Sequence, residues 1–484
     1  MLSEAVPVLR REKMSTVDTA WLRMDSDSNL MMIVAVLMFD EPMDTRRFRD
    51  IVQTRLLSYP RFRSKVSRDM TGGAWWEEQE VDLDYHIQHD RLRSEGKSNK
   101  VLLEQMVSGL SATPLSFARP LWQMHLIDNC VGEDGKTRQA IVVRSHHCIA
   151  DGIALVGVLL SMFDSVPDRA DRATPASANA LDDEDNPWLS LMQPVTRSMI
   201  SAINLSTSLW SKYMWMVADA NKLMGRLSDM GNKASRLTLD AIKLMAMADD
   251  SRTRLKGKPV GTKHVAWSEP LPLHEIKVVG KALGGSINDV LMASVAGAIG
   301  AYLRAKGDNV PGTTDLRAMV PVNLRKAGDE HKLGNAFGLV PLVLPVGIED
   351  PIARLSEVRR RMAELKGGYQ ALVAMAVLGV LGATPKQMQN EIQNYFAKKA
   401  TAVMSNVPGP QTPLYMAGSQ LDQIMFWVPQ SGDIGMGVSI LSYNGCVQFG
   451  LVTDDAIARD PHEIIRRFAP EFEKLVLLAL MSEW

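Results

Sequence analysis

The chain has 484 residues, of which 46% are hydrophobic and 23% charged, and its formal net charge is −1. These proportions are typical of globular proteins and exclude a chain that is disordered throughout. The length exceeds that of one ordinary hydrophobic core, so two domains are expected. A nearly neutral chain without a long basic run is a poor candidate for nucleic-acid binding, which depends on neutralising phosphates.

The cysteines and the longest apolar segments indicate the cellular compartment in which the protein is expected. Cys130, Cys148 and Cys446 are widely spaced and match neither a disulfide framework nor a CxxC metal motif, which favours a reducing compartment. Residues 1–13 lack the apolar segment of a secretory signal. The longest apolar run, 371–383, is shorter than the roughly 20 residues that a membrane span requires. We expect a cytoplasmic protein, with the inner membrane or lipid inclusions as surfaces it can bind without crossing.

The first third of the chain alternates between strand-like and helical patterns. Residues 30–39 form a continuous apolar run that predicts a buried strand, and 45–59 follow with a helical pattern that a proline ends. The alternating segment 138–145 predicts a strand that leads directly into His146, and 153–163 predict a buried helix. Such alternation indicates an α/β domain.

The middle of the chain has a different composition. Residues 165–187 are rich in Ser, Ala, Asp and Pro and read as a surface linker, while 188–250 read as helical. One apolar helical face is formed by Leu223, Met224, Leu227 and Met230. Such a face usually packs on its own protein, and contact with a bilayer or lipid droplet is the second interpretation.

From about residue 259 the α/β character returns. Helices are predicted over 286–307, with Ser286 as the N-cap, and over 461–481. Strands are predicted over 316–325, 338–346 (at a sheet edge, because of its prolines), 401–410, and as three successive antiparallel strands within 424–454. The predicted organisation is an N-terminal domain over 1–164, a linker and helical insert over 165–258, and a C-terminal domain over 259–484.

Two adjacent histidines, His146 and His147, precede Asp151 and Gly152. A neutral imidazole can accept a proton near neutral pH, but a general base also needs a group that orients its ring. Asp151 could orient the base or pair with a distant arginine, and Gly152 would let the backbone turn tightly. A structural histidine pair is the alternative. A metal site is disfavoured because the segment lacks the i, i+4 histidine pair of zincins.

The segment 146–152, HHCIADG, resembles the HHxxxDG signature of the CoA-dependent acyltransferase superfamily, which includes chloramphenicol acetyltransferase and peptide-synthetase condensation domains. Residues 118–128, 287–293 and 405–410 resemble the PLW, ND and NVPGP motifs of bacterial wax ester synthase/diacylglycerol acyltransferases, in the same order. The DFGWG motif of the plant BAHD acyltransferases is absent, and SGDIGMG (431–437) occupies the comparable position.

The resemblance implies an α/β fold of two chloramphenicol-acetyltransferase-like domains with mixed sheets and an active site at their interface. It implies that His147 is the general base, supported by His146 and Gly152, and that Asp151 is mainly structural, with Arg325 as the candidate partner. The implied reaction moves a fatty acyl group from acyl-CoA to a long-chain alcohol, a diacylglycerol or both. It requires no covalent intermediate, no metal and no cofactor beyond the acyl-CoA substrate.

The other motifs each have a chemical and a structural interpretation. Asn288 and Asp289 begin a long helix, where they could position an oxyanion donor or substrate, or simply cap the helix. The remaining motif residues are candidates for a channel wall or for structural support: Pro120, Leu121, Trp122, Ser405, Asn406 and Gly409.

Three functions therefore compete. The first is acyl-CoA-dependent O-acyl transfer, with acyl-CoA, an alcohol or diacylglycerol, and a membrane or lipid-inclusion surface as partners. The second is a condensation-type enzyme that takes its acyl group from a carrier-protein thioester. The third is a non-catalytic protein that binds lipid droplets.

Overall fold

A computed structural model describes residues 10–68, 73–93, 97–131, 136–167, 246–324, 333–365, 374 and 386–482. Three of the predictions lie outside these residues. They are the linker from residue 168 onwards, the helical insert up to residue 245 with its apolar face, and the candidate partner Arg325.

The strands of the described residues, in chain order, are β1 (Arg11–Lys13), β2 (Met32–Phe39), β3 (Ser64–Arg68), β4 (Ala74–Glu78), β5 (Ile87–Arg91), β6 (Trp122–Val131), β7 (Thr137–His146), β8 (Lys263–Trp267), β9 (Leu271–Pro272), β10 (Leu316–Asn323), β11 (Phe337–Leu344), β12 (Ala402–Pro408), β13 (Tyr415–Met416), β14 (Ser419–Trp427), β15 (Met436–Tyr443) and β16 (Cys446–Asp454). The helices are α1 (Thr16–Met24), α2 (Thr45–Thr54), α3 (Leu83–His86), α4 (Asn99–Ser111), α5 (Gly152–Ser161), α6 (Leu273–Ala282), α7 (Ile287–Ala305), α8 (Pro351–Leu365), α9 (Lys386–Ala397) and α10 (His462–Ser482).

Two mixed sheets organise these elements. The first has the strand order β13-β14-β2-β7-β6-β5, in which only β5 and β6 are parallel. The second has the order β11-β10-β12-β15-β16-β8, with β12 parallel to both of its neighbours, and β9 pairs with β16. A small sheet of β1, β4 and β3 completes the β-structure of the described residues. The predicted α/β class with mixed sheets is confirmed.

Several local predictions are also confirmed. Helix α7 begins after its N-cap Ser286, whose side chain forms a capping box with Asp289, and Gly307 follows its end with a φ of 86°. Strand β11 lies at the edge of its sheet, as its prolines predict. Strand β6, which begins at the tryptophan of the PLW segment, was not predicted.

The prediction of three successive antiparallel strands within 424–454 is wrong for the first of them. Only β15 and β16 pair with each other, whereas β14 crosses to the first sheet and pairs with β2. The crossing is accommodated by Gly450 of β16, because a Cβ atom there would lie 2.7 Å from the Met425 side chain and 3.1 Å from that of Trp427. A strand from the C-terminal half thus completes the N-terminal sheet. The predicted domain boundaries at 164 and 258 stay a prediction.

Each main sheet has its own apolar core. Helix α7 is buried along almost its whole length, between the second sheet and helices α6, α8 and α10. Among the described residues no single helix is long and apolar enough to cross a membrane, although Leu273–Ala282 and Ile287–Ala305, bent by 97°, meet the length and composition criteria together.

Candidate active site

The HHxxxDG segment forms the turn between β7 and α5. Strand β7 ends at His146, whose backbone N–H donates to the carbonyl of Leu121 at 2.9 Å. The next N–H, of His147, donates in the opposite direction to the carbonyl of Met31 at 2.7 Å. The turn is closed by the N–H of Ile149, which donates to the His146 carbonyl at 3.0 Å. Backbone hydrogen bonds to the residues that immediately precede β6 and β2 therefore fix the backbone of the two histidines.

His146 is a buried supporting residue. Its Nδ1 accepts a hydrogen bond from the backbone N–H of Cys148 at 3.1 Å, so in the neutral ring the proton is on Nε2. That nitrogen lies 3.7 Å from Oδ1 of Asp25. Burial raises the pKa of the Cys148 thiol well above its usual range, which keeps it protonated and makes it a packing residue.

His147 faces the cavity described below and packs in a cluster of three rings with Trp21 and Phe337, which also contact each other at 5.5 Å. Its imidazole stacks on Trp21 with a centroid distance of 4.2 Å, and the ring of Phe337 lies 5.6 Å away. Burial lowers the pKa of His147 to about 4, against the smaller opposing effects of the Asp151 carboxylate and the histidine's own carbonyl. The imidazole is therefore neutral at neutral pH, as a general base must be.

Asp151 anchors the turn to helix α5 and to the chain before β11. One oxygen of its carboxylate caps α5 by accepting from the N–H of Ala154 at 3.0 Å, and the other accepts from the N–H of Ala336 at 3.0 Å. Its own N–H donates to the carbonyl of Gly334 at 3.3 Å. Both ends of the carboxylate thus bind backbone groups, which agrees with the structural interpretation of Asp151.

Gly152 has a different role from the tight backbone turn that was expected of it. It has no positive φ and is the first residue of α5, so the backbone turn does not need a glycine there. Instead it lines the cavity, and a Cβ atom at this position would meet no atom within 4 Å. The absence of a side chain at Gly152 keeps that space open.

A cavity lies between the second sheet on one side and helix α1, the histidine turn and helix α5 on the other. Its empty volume is about 730 Å³, including the part that is open to solvent. On one side it is lined by the N-terminal residues Trp21, His147, Asp151, Gly152 and Ile153. On the other side it is lined by residues of β10, β11 and β12 and of the segment 428–431. The cavity is mostly apolar, and Asn323, Ser405 and Asn406 add polar groups to the wall that faces the histidine.

The ND and NVPGP motifs meet behind this wall. Asn406, which lines the cavity, donates from Nδ2 to Oδ1 of Asn288 at 2.8 Å. Asn288 is buried, while Asp289 closes the capping box of α7 and so has the structural role. Gly409 allows close approach to β15, because a Cβ atom there would lie 2.4 Å from the carbonyl oxygen of Ser442. Of these motif residues, Ser405 and Asn406 line the cavity, and Asn288 contacts Asn406 from behind.

The PLW motif supports the fold, and none of its residues lines the described cavity. The carbonyl of Pro120 accepts from the N–H of Trp122, and Leu121 holds the backbone of His146 as described. The indole N–H of Trp122 donates to the carbonyl of Phe62 at 2.7 Å, and its ring stacks on buried His86 at 4.3 Å. The channel interpretation of this motif has no support from these contacts.

Five residues that the sequence did not single out surround His147. Trp21 and Phe337 pack against its ring and against each other. A polar group beneath the turn is formed by Asp18, Arg61 and Asn335. No local pattern marks them: Asp18 resembles an ordinary acidic residue in a first helical turn, and Asn335 an ordinary loop residue. In the described parts of the chain no group of three His, Cys, Asp or Glu residues could hold a metal ion.

A neutral histidine at a strand-to-helix turn, facing a cavity to which both halves of the chain contribute, is typical of acyltransferases of the HHxxxDG class. Solved structures support the fold. A wax ester synthase/diacylglycerol acyltransferase from Marinobacter aquaeolei VT8 aligns with a TM-score of 0.66 at 20% identity, covering 96% of this chain and 99% of that one. The first condensation domain of the calcium-dependent antibiotic synthetase aligns with a TM-score of 0.59 at 15% identity, covering 96% of both chains.

Sequence comparison gives the family. The wax ester synthase/diacylglycerol acyltransferase catalytic domain matches residues 14–291, and the WS/DGAT C-terminal domain matches residues 333–476. A Mycobacterium tuberculosis protein named "Putative diacyglycerol O-acyltransferase Rv2285" is 29% identical over 96% of this chain and 99% of its own length. The chain belongs to the wax ester synthase/diacylglycerol acyltransferase family, which confirms the resemblance drawn from its motifs. It is an acyl-CoA-dependent O-acyltransferase.

Proposed function

We propose that His147 is the general base of this acyl transfer. The observation that carries the proposal is its neutral imidazole, buried against the rings of Trp21 and Phe337 at the wall of the shared cavity. The Nε2 atom takes the proton of the acceptor hydroxyl as the hydroxyl oxygen attacks the thioester carbonyl. The tetrahedral intermediate then expels CoA by breaking the C–S bond, and the imidazolium returns the proton to the CoA thiolate. No covalent acyl-enzyme and no resident cofactor take part.

The oxyanion of the intermediate needs hydrogen-bond donors that are already in place. Ser405 and Asn406 lie on the cavity wall that faces His147, and Asn288 holds Asn406 from the buried side. We assign Asn288 the role of positioning this wall, with the N-terminal end of helix α7 contributing a favourable dipole. Donors near the oxygen therefore come from the C-terminal half, and the base comes from the N-terminal half.

The acceptor we propose is a long-chain alcohol, a diacylglycerol or both. An alkyl chain fits the apolar part of the cavity wall, to which Ile153, Phe337, Leu339, Val403 and Val407 contribute. The test uses purified protein, palmitoyl-CoA and a panel of long-chain alcohols and acylglycerols, with release of CoA thiol as the measurement. Release that depends on hexadecanol or a diacylglycerol is expected. An absence of release with every acceptor would contradict the proposal.

The base is tested by a matched pair of variants. His147 and His86 are both buried, both stack on a tryptophan, and both have pKa values lowered to about 4 by burial, but only His147 faces the cavity. His147→Gln should lower kcat by about 10²- to 10⁴-fold, the usual contribution of a positioned general base. His86→Gln should keep most of the turnover. Equal losses in two folded variants would remove His147 from the mechanism.

We further propose that the enzyme works in the cytoplasm at a lipid surface, either the inner membrane or lipid inclusions, because its acceptor and product partition into lipid. Flotation of the full chain with liposomes that contain diacylglycerol is the test. Co-flotation is expected, whereas protein that stays at the bottom of the gradient while remaining active would show that no such association is needed.

A further inference from the structure

A buried amide joins the two halves of the chain next to one segment of the cavity wall. Asn29, with 1% of its surface exposed, lies between α1 and β2. Its Nδ2 donates to the carbonyl oxygens of Gly432 and Ile434 at 2.8 and 3.2 Å. Its Oδ1 accepts from the ammonium group of Lys263 at 2.7 Å. Because the ammonium can only donate and the carbonyls can only accept, the amide has a single permitted orientation.

Lys263 is itself held in a buried ion pair of the second sheet. Its Nζ lies 3.4 Å from Oδ2 of Asp454, and neither side chain is more than 5% exposed. The Asp454 carboxylate also accepts from three backbone N–H groups, those of Val260, Gly261 and Ala456. A buried polar group with this many partners is rigid. The amide of Asn29 is therefore oriented from a fixed point on strands β8 and β16.

The carbonyls that Asn29 holds belong to a turn in the cavity wall. This turn, 431–434, is closed by the N–H of Ile434, which donates to the Ser431 carbonyl at 3.2 Å. It lies in the stretch 428–435, which leads from β14 in the first sheet to β15 in the second and belongs to neither. Val428, Pro429 and Ser431 of this stretch line the cavity. Because no strand ladder fixes 428–435, its position depends on contacts such as those of Asn29.

The chain that carries Asn29 also holds the backbone of the base. Two residues further on, the carbonyl of Met31 accepts from the backbone N–H of His147 at 2.7 Å. The N–H of Met31 donates to Oδ1 of Asp25, also at 2.7 Å. Residues 29–31 thus link the backbone of His147 to the turn in the cavity wall that comes from the other half of the chain.

We propose that Asn29 is a positioning residue that holds the wall stretch 428–435 at a fixed distance from His147 and so determines which chain lengths of substrate the cavity favours. The proposal deepens the proposed function and rests on the described cavity holding the apolar chain of a substrate. A wall that is released loses contact with that chain, and each methylene group that is no longer buried weakens binding by about fourfold. A long chain covers more of the wall than a short one, so it loses more.

The test is a competition between chain lengths. One reaction contains equal concentrations of decanoyl-CoA and palmitoyl-CoA with the acceptor that the acceptor panel identifies. Another contains a short-chain and a long-chain form of that acceptor with palmitoyl-CoA. The ratio of the ester products gives the ratio of the two kcat/KM values, which does not depend on how much of the enzyme is folded.

Asn29→Asp is the decisive variant, because its carboxylate still accepts from Lys263 but cannot donate to the two carbonyls. It should shift the product ratio towards the shorter chain by about tenfold in at least one of the two mixtures, which corresponds to the lost burial of one or two methylene groups. Unchanged ratios in both mixtures would overturn the proposal.

Gln139→Glu is the matched control. Gln139 is also a buried amide, which accepts from the N–H of Met43 at 3.1 Å and donates to Asp128 at 2.7 Å, but it does not line the described cavity. The control should lose stability and leave both product ratios unchanged. A shift as large as that of Asn29→Asp would show that general loosening moves the ratio, and the assignment to Asn29 would fall.

Two further measurements cover an Asn29→Asp chain that does not fold. Lys263→Met removes the group that orients Asn29 while Asp454 keeps its backbone donors, and a shift in the same direction is expected. In wild-type protein, hydrogen–deuterium exchange of peptides covering 428–435 should be slow, and exchange at the rate of an unstructured chain would refute the inference. Absence of ester formation by the wild type would instead defeat the proposed function, leaving the exchange measurement valid.

Discussion

Acid should affect catalysis by this enzyme at a much lower pH than the ordinary pKa of histidine suggests. Burial lowers the pKa of His147 from 6.5 to about 4, so the free enzyme keeps its base unprotonated across the range in which a solvated histidine would titrate. At pH 5 about 90% of such a base is neutral, against about 3% of a histidine with a pKa of 6.5. Relative to pH 7, kcat/KM should therefore fall by less than twofold, instead of the roughly 25-fold expected for a pKa of 6.5.

The assay measures ester formation from radiolabelled palmitoyl-CoA after an acid quench, because thiol reagents themselves respond to pH. Rates at low substrate concentration between pH 4.5 and 8 give kcat/KM, which reports the free enzyme. Samples held at each pH and returned to pH 7 before assay separate irreversible unfolding from titration. A half-maximal rate near pH 6.5 with full recovery at pH 7 would refute the reasoning, since it would show that the imidazole is solvated in the working enzyme.

Three further predictions concern stability and are measured by urea unfolding. Burial lowers the pKa of His86 to about 4, so the stability linked to its neutral form is complete above pH 6.5 and is lost as the pH falls towards 4. His86→Gln should shrink the difference in unfolding free energy between pH 7 and pH 4 by about 3 kcal/mol. An unchanged difference would contradict this. Trp122→Phe leaves a buried backbone carbonyl without its indole donor and should cost about 1–3 kcal/mol; no loss would mean that water replaces the donor. Arg354→Met removes the guanidinium from the buried carboxylate of Glu471 and should cost about 3–5 kcal/mol. Arg360→Met breaks an exposed ion pair on the same helix and should cost much less. Similar losses in the two variants would show that burial does not matter here.

Much of the local structure could be predicted because neighbouring residues determine it. Helix α7 is marked by its own capping residues, and the alternation over 138–145 marks the strand that delivers the histidines. The prolines of β11 place it at an edge because they cannot donate to a ladder. The HHxxxDG segment itself identified the class of enzyme, since its chemistry lies within seven consecutive residues.

The partners of these elements could not be predicted in the same way. Strand β14 reads as a strand from its own sequence, but its pairing with β2 depends on contacts between residues that are far apart in the chain. Likewise, nothing near residue 335 indicates that its amide reaches Asp18 across a separation of 317 residues. The sequence by itself determined the family, the histidine turn and most of the secondary structure, because these follow from periodicity and short motifs. Only the tertiary structure decided what surrounds His147, because burial and ring orientation arise where the two halves of the chain meet.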